Sequence, residues 1–206
     1  MNRCVIIAGA DINNYENAKK YLKDGDFIIC CDCGLRHLQK LNVKPNLIVG
    51  DFDSHKNPHL PVETIVLPCE KDDTDTGFAV KEALKRGAND FLFLGVIGNR
   101  FDHSFANISI LLMLDTLGKS ALAIDDFSEL QIISSQKAFI SDKFSFFSLL
   151  NVSGTAEGIS IKNAKYPLEN AIIKSEDQYG ISNQVLPNQI AEVSIQKGRL
   201  LLIRVK

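Results

Sequence analysis

The chain has no tryptophan, so no binding site in it can stack a ring on indole. It also has no apolar run near the roughly 20 residues that a membrane-spanning helix needs, which argues against a membrane protein. Excess positive charge is missing: 23 Lys and Arg stand against 25 Asp and Glu, for a net charge of -2. A nucleic-acid partner would normally leave a basic footprint. Neither glycine-rich phosphate cradle is present, no Gly-x-x-x-x-Gly-Lys-[Ser/Thr] loop and no Gly-x-Gly-x-x-Gly turn. Cysteine is too scattered for zinc. Cys30, Cys31 and Cys33 crowd together, and Cys4 and Cys69 do not supply the second pair such a site brings. Buried free thiols fit better and suit a reducing, cytoplasmic setting. The N-terminal Cys4-Val5-Ile6-Ile7-Ala8-Gly9 reads as a first strand and turn, too short and strand-like for a signal peptide.

What is present is a repeated arrangement. Leu47-Ile48-Val49 leads into Gly50-Asp51-Phe52-Asp53-Ser54, and Phe27 to Cys31 leads into Asp32-Cys33-Gly34. Glu63 to Leu67 is followed by Lys71-Asp72-Asp73-Thr74-Asp75, and Phe91 to Ile97 by Gly98-Asn99-Arg100-Phe101-Asp102-His103. Each apolar run reads as a buried strand, and each polar cluster follows a strand's C-terminal end. In an open parallel sheet those ends form one edge, where ligands bind. Four such clusters on one edge point to a site.

Between the strands lie helical patterns at Tyr15 to Lys23, Gly34 to Leu41, Thr76 to Arg86 and His103 to Leu117. Strand and helix in alternation imply an α/β parallel sheet with helices packed on it. The pattern changes near residue 125. After Ala121 to Ile124 come short runs at Leu130, Lys137, Phe144, Ile159, Ala171, Gln189 and Leu200, which suggest an all-β sandwich or barrel. The last two runs, joined by Lys197-Gly198-Arg199, read as a terminal hairpin. The expected domains are 1–125 and 126–206.

On an extended backbone, side chains two apart project to one side, so Asp51 and Asp53 converge. Converging carboxylates call for a cation, and a hard divalent ion such as Mg²⁺ suits an oxygen donor set. Two solvated acids at a strand exit would look the same. Asp72 and Asp75 sit one helical turn apart, where acids also serve simply to offset a helix dipole. Asp102 is equally readable as a helix cap. Arg100 has less structural reason to be there and brings a fixed fork for anionic oxygens. His103 and Asn107 share a helix face. Gly34 would let backbone approach closely at a helix start, where phosphates are attracted.

Taken together, Asp32-x-Gly34, Gly50-Asp51-Phe52-Asp53-Ser54, Lys71-Asp72-x-Thr74-Asp75 and Gly98-x-Arg100-x-Asp102-His103 with Asn107 resemble the thiamine pyrophosphokinase family. Lys165-Tyr166-Pro167-Leu168 and Gly180-Ile181-Ser182-Asn183 extend the resemblance over nearly the whole chain. It implies a Rossmann-like, ATP-binding α/β domain followed by a β-sandwich that binds thiamine and dimerises. It implies a homodimer and transfer of diphosphate from ATP to thiamine, with Mg²⁺ as cofactor. By position, Asp51, Asp53 and Asp75 would hold metal. Asp32, Gly34, Asp72, Thr74, Asn99, Arg100 and His103 would serve the nucleotide. Asp75, Asp102 and Arg100 would act in catalysis, and Ser182 and Asn183 would lie on the thiamine side, in a pocket at the dimer interface. The chain departs from the family at Cys33, where glycine is more usual, and at Tyr166, often tryptophan. Other readings remain at this stage: an aspartyl-phosphate phosphatase using Asp51, a diphosphokinase for another alcohol such as a pterin, and a nucleotide sensor without turnover.

Overall fold

The computed structural model describes residues 2–52, 60–70 and 72–206. The chain divides into two compact units, residues 1–126 and 127–206.

In the first unit the elements run β1 (Arg3–Ile7), α1 (Tyr15–Lys19), β2 (Phe27–Cys31), a 3-10 segment (Asp32–His37), α2 (Leu38–Leu41) and β3 (Leu47–Gly50). They continue with β4 (Glu63–Val66), α3 (Asp75–Lys85), β5 (Asp90–Leu94), α4 (Phe101–Thr116) and β6 (Ser120–Ile124). The six strands pair in parallel in the order β4-β3-β2-β1-β5-β6. β1 and β5 are buried on both faces from Cys4 and Phe91 onward, as continuous apolar runs in a covered parallel sheet should be. Val5, Ile7, Ile28, Cys30, Leu92 and Leu94 form one face and pack with Ala18 of α1 and Leu38 and Leu41 of α2. α3 buries Ala79, Val80 and Ala83 against β1, β2 and β3 on the other face.

The chain leaves β1 toward β2 on one side and returns to β5 on the other, so the strand order reverses between β1 and β5. Such a switch point opens a crevice at the C-terminal edge of the sheet.

Two helices are shorter than their apolar spacing suggests. α1 stops at Lys19, before the turn in which Lys23 N donates to Asp26 and Gly25 takes a φ of +85°. The pattern from Gly34 to Leu41 folds as the 3-10 segment plus one α turn, ended by Asn42 in the left-handed region. Gly34 is buried there, and a Cβ on it would collide with the Ile7 carbonyl oxygen. Glycine at this position is therefore needed for packing against β1.

The second unit contains β7 (Ser128–Ile133), β8 (Ala138–Ser141), β9 (Phe146–Asn151), β10 (Thr155–Lys162), β11 (Leu168–Lys174), β12 (Ile190–Ser194) and β13 (Leu200–Val205). Two antiparallel groups form, β7-β13-β9 and β11-β10-β12-β8. Ile133, Phe147, Leu149, Leu200 and Leu202 of one meet Ile140, Ile159, Ile161, Ala191 and Val193 of the other in a single core.

The terminal hairpin expected from sequence does not form, because β12 and β13 belong to different groups. The turn signal is genuine, but Lys197 is claimed by β10: Gln196 N and Lys197 N both donate to Glu157 O, and Glu157 N donates to Lys197 O. Gly198, at a φ of +93°, then carries the chain to the other layer, so both strands can present their apolar side chains to the same core.

No helix among the described residues is long and apolar enough to cross a membrane. Burial pushes the Cys4 thiol up to about 12 and raises Cys30 and Cys31 as well, whereas Cys69 is exposed and Cys33 half-buried. Since the thiolate is the reactive form, a colorimetric thiol titration at pH 8 should modify Cys69 at once and Cys33 more slowly. Cys4, Cys30 and Cys31 should react only after denaturation. Prompt reaction of all five in the native protein would contradict this core.

Candidate active site

A cleft of about 550 Å³ lies at the C-terminal edge of the parallel sheet, lined from every strand exit around the switch point. Gly9, Ala10 and Asp11 come from the end of β1. Asp32, Cys33 and Arg36 follow β2, and Asp51 follows β3. Thr74 and Asp75 open α3, and Asn99, Arg100, His103 and Asn107 come from the β5 exit and α4.

At the base of this cleft the carboxylates of Asp32, Asp51 and Asp75 converge, with ligand atoms within 4.8 Å of one another. Three sequence segments far apart meet because β2 and β3 are neighbours and α3 begins beside them. Gly50 permits the approach: a Cβ on it would lie 2.8 Å from the Asp32 Cβ. Three carboxylates at this distance repel strongly unless a cation offsets them. Their all-oxygen donor set suits a hard divalent ion such as Mg²⁺.

Asp53 and Ser54, like Lys71, lie outside the described residues. The expected convergence of Asp51 and Asp53 thus falls outside what the described residues cover, and the backbone at Phe52 is not extended. Phe52 takes a φ of +58°, a left-handed conformation rare for a bulky residue, so the chain turns immediately after Asp51. Asp32, expected from sequence to serve the nucleotide, stands in the carboxylate cluster with Asp51 and Asp75.

Several residues singled out from sequence hold the cleft wall. The Thr74 hydroxyl accepts from Gly77 N at 3.1 Å and caps α3. Asn107 is buried and donates from Nδ2 to the Val96 carbonyl at 2.8 Å. Ser104 accepts from Gly98 N through a hydroxyl that also reaches Gly98 O and Arg100 O, tying down the loop that presents Asn99 and Arg100. Arg100 and Asp102 pair through two bonds, Nε to Oδ1 at 3.0 Å and Nη2 to Oδ2 at 2.7 Å. The guanidinium holds the Asp102 carboxyl well below the usual carboxylate range. Arg100 lines the cleft whereas Asp102, Asp72 and Gly34 do not. Arg36, which no motif marked, enters from the β2 side of β1, opposite Arg100, and Asp11, likewise unmarked, follows β1 itself.

In the second unit, Asn183 is buried and fully engaged. Its Oδ1 accepts from Tyr166 N and Gln184 N, and its Nδ2 donates to Tyr166 O. Ser182 takes a φ of +56°, and its N donates to Ser148 Oγ. The Tyr166 side chain, whose backbone Asn183 pins at both ends, is 57% exposed.

Two family models match the chain. The thiamin pyrophosphokinase catalytic domain covers residues 18–122, and the thiamin pyrophosphokinase vitamin B1 binding domain covers residues 132–200. The chain belongs to the thiamin pyrophosphokinase family. It is 26% identical over 207 residues to thiamine pyrophosphokinase of Bacillus subtilis, covering 97% of this chain and 96% of that protein. The crystal structure of thiamine pyrophosphokinase from Bacillus subtilis superposes with a TM-score of 0.87 at 24% identity, over 100% of this chain and 99% of the other. That from Geobacillus thermodenitrificans gives 0.83 at 23% identity, over 99% and 97%. The yeast enzyme gives 0.73 at 15% identity, over 100% and 86%. In this member of the family, the converging acids and Arg100 all lie within the span of the catalytic model.

The donor set makes a direct test possible. Asp32→Asn and Asp51→Asn should each weaken Mn²⁺ binding, read by electron paramagnetic resonance, by about tenfold or more, since even changes outside a ligand shell reach that size. Unchanged Mn²⁺ affinity in both folded variants would remove the cluster from metal binding.

Proposed function

We propose that the protein transfers the diphosphate group of ATP to the hydroxyl of thiamine, giving thiamine diphosphate and AMP. The observation that carries this reading is the cleft at the switch point. There the family's catalytic span brings three carboxylates and an oriented arginine to one edge. The first unit acts as a Rossmann-like ATP-binding domain, and the second as a thiamine-binding sandwich that pairs two copies into a homodimer in the cytoplasm.

Transfer of this kind asks for positioning and charge stabilisation more than covalent participation. Asp32, Asp51 and Asp75, with Asp53 two residues after Asp51 in sequence, would hold Mg²⁺, which supplies charge neutralisation on phosphate oxygens when bound. Arg100 offers its fork to the phosphates, with Asn99 and His103 beside it. Asp102 keeps that fork oriented. Asp75 lines the cleft whereas Asp102 does not, so Asp75 is the better-placed carboxylate to accept the alcohol proton. On the acceptor side, Ser182 shapes the turn and Asn183 acts through Tyr166, holding the backbone from which the exposed ring would meet the thiamine rings.

Family membership gives no support to the phosphatase and pterin readings. The deciding experiment incubates the purified protein with thiamine, ATP and Mg²⁺ and follows both products by chromatography. Equimolar AMP and thiamine diphosphate, abolished by chelation, is the expected result. AMP without thiamine diphosphate would indicate hydrolysis or another acceptor, and no AMP would leave a binding protein. Asp51→Asn should fold normally and lose nearly all turnover in the same assay.

Asn183→Ala should raise the KM for thiamine by more than the KM for ATP. Equal effects on both, or none, would reduce Asn183 to a turn residue.

A further inference from the structure

We propose that Arg36 is a second phosphate-binding arginine of the cleft, held in place by Asp11 and the β1 exit, and that it receives the phosphate that leaves as AMP. The proposal rests on the diphosphate-transfer reading and adds a ligand contact to it.

Arg36 lines the same cleft as the carboxylate cluster and Arg100. The two arginines reach it from opposite sides of β1: Arg36 from the segment after β2, Arg100 from the β5 exit. A nucleoside triphosphate is an extended anion, and the cluster of Asp32, Asp51 and Asp75 concentrates negative charge near Arg36's own segment. A polyphosphate chain that meets Arg100 with its transferred end has its nucleotide end left to be matched by a cation elsewhere on the wall. Arg36 is the other arginine on that wall among the described residues.

Its surroundings hold the guanidinium without using it up. Nη2 donates to Asp11 Oδ1 at 2.8 Å and to the Gly9 carbonyl, and Nε lies 3.4 Å from His37 Nε2. Nη1 has no hydrogen-bond partner among the described residues, and the side chain keeps 42% of its surface exposed. The anchoring extends backward. His37 is buried and bridges Ala10 O at 2.9 Å and Tyr15 OH at 2.7 Å, which fixes the β1 exit against the segment that carries Arg36. On its far side the same loop is tied by Asp126, which accepts from Asn13 N, Asn13 Nδ2 and Asn14 N. A charge meant only for solubility would not need a loop secured at both ends. A planar fork fixed on one side by a carboxylate and a carbonyl presents its remaining donors in a set direction, the arrangement that favours a phosphate over water.

The test measures binding of ATP and of AMP by calorimetry to wild type, Arg36→Ala, Arg36→Lys and Asp11→Asn, with thermal unfolding of each as a fold control. Arg36→Ala should lose about tenfold or more in affinity for both nucleotides, the scale of a charge-assisted bond, with the KM for thiamine unchanged. Arg36→Lys should recover part of the loss, and Asp11→Asn should show a smaller loss of the same kind. Wild-type affinity for ATP and AMP in folded Arg36→Ala would overturn the proposal and leave the function standing. If Arg36→Ala does not fold, the lysine and asparagine variants decide: full wild-type affinity in both overturns it, and a graded loss supports it. No ATP binding by wild type would overturn the function itself, and this proposal with it.

Discussion

Three carboxylates held within 4.8 Å of one another are the constraint around which the first unit is arranged. The like charges of Asp32, Asp51 and Asp75 repel one another, and repulsion alone would separate them. What prevents this is the parallel pairing of β2 with β3 and the start of α3 beside their ends. The strands are apolar on both faces and buried, so the energy that holds the acids together comes from hydrophobic burial beneath them.

Around that cluster, the polar residues fall into two kinds. Some expose a group to the cleft: Asp32, Asp51, Asp75, Arg100 and Arg36. Others spend their polar atoms on backbone. Thr74 caps α3, Ser104 and Asn107 hold the β5 exit, and Asn183 does similar work on the segment of Tyr166. Buried polar groups must find partners, and a loop that lines a cleft lacks strand partners of its own. Side-chain amides and hydroxyls supply them. A residue of the second kind can matter to function as much as one of the first, by keeping a neighbour in place.

This division explains how much could be read in advance. The parallel strands were legible because buried runs such as Val5 to Ile7 and Phe91 to Leu94 are too short for helices and alternate with helical patterns. The acids at their exits stood out because four polar clusters follow strand ends, whereas any one pair alone reads equally as solvated acids or a helix cap. The hairpin at Lys197 to Arg199 was misread because a turn signal says that the chain reverses, without saying whether the next strand pairs beside the last or crosses to the facing layer. Burial of both strands' apolar side chains in one core decided that. Phe52 was misread as extended because no local pattern marks a left-handed conformation in an aromatic residue. Arg36 gave no signal either, since its spacing is that of an ordinary helix face.

The pairing of each cleft arginine with an aspartate is a consequence of the same edge. A guanidinium near three carboxylates would be drawn toward them and away from the ligand. Asp102 holds Arg100 through two bonds, and Asp11 holds Arg36 through one with help from the Gly9 carbonyl. The Asp102 carboxyl, lowered by its bond to Arg100, is ionised above the ordinary carboxylate range and remains so well below it. The direction of that shift keeps Asp102 charged across neutral pH, although a pair this exposed is screened by solvent. A holder that titrated near neutrality would release its arginine when protonated. The two-bond geometry, Nε to Oδ1 and Nη2 to Oδ2, sets the plane of the Arg100 fork.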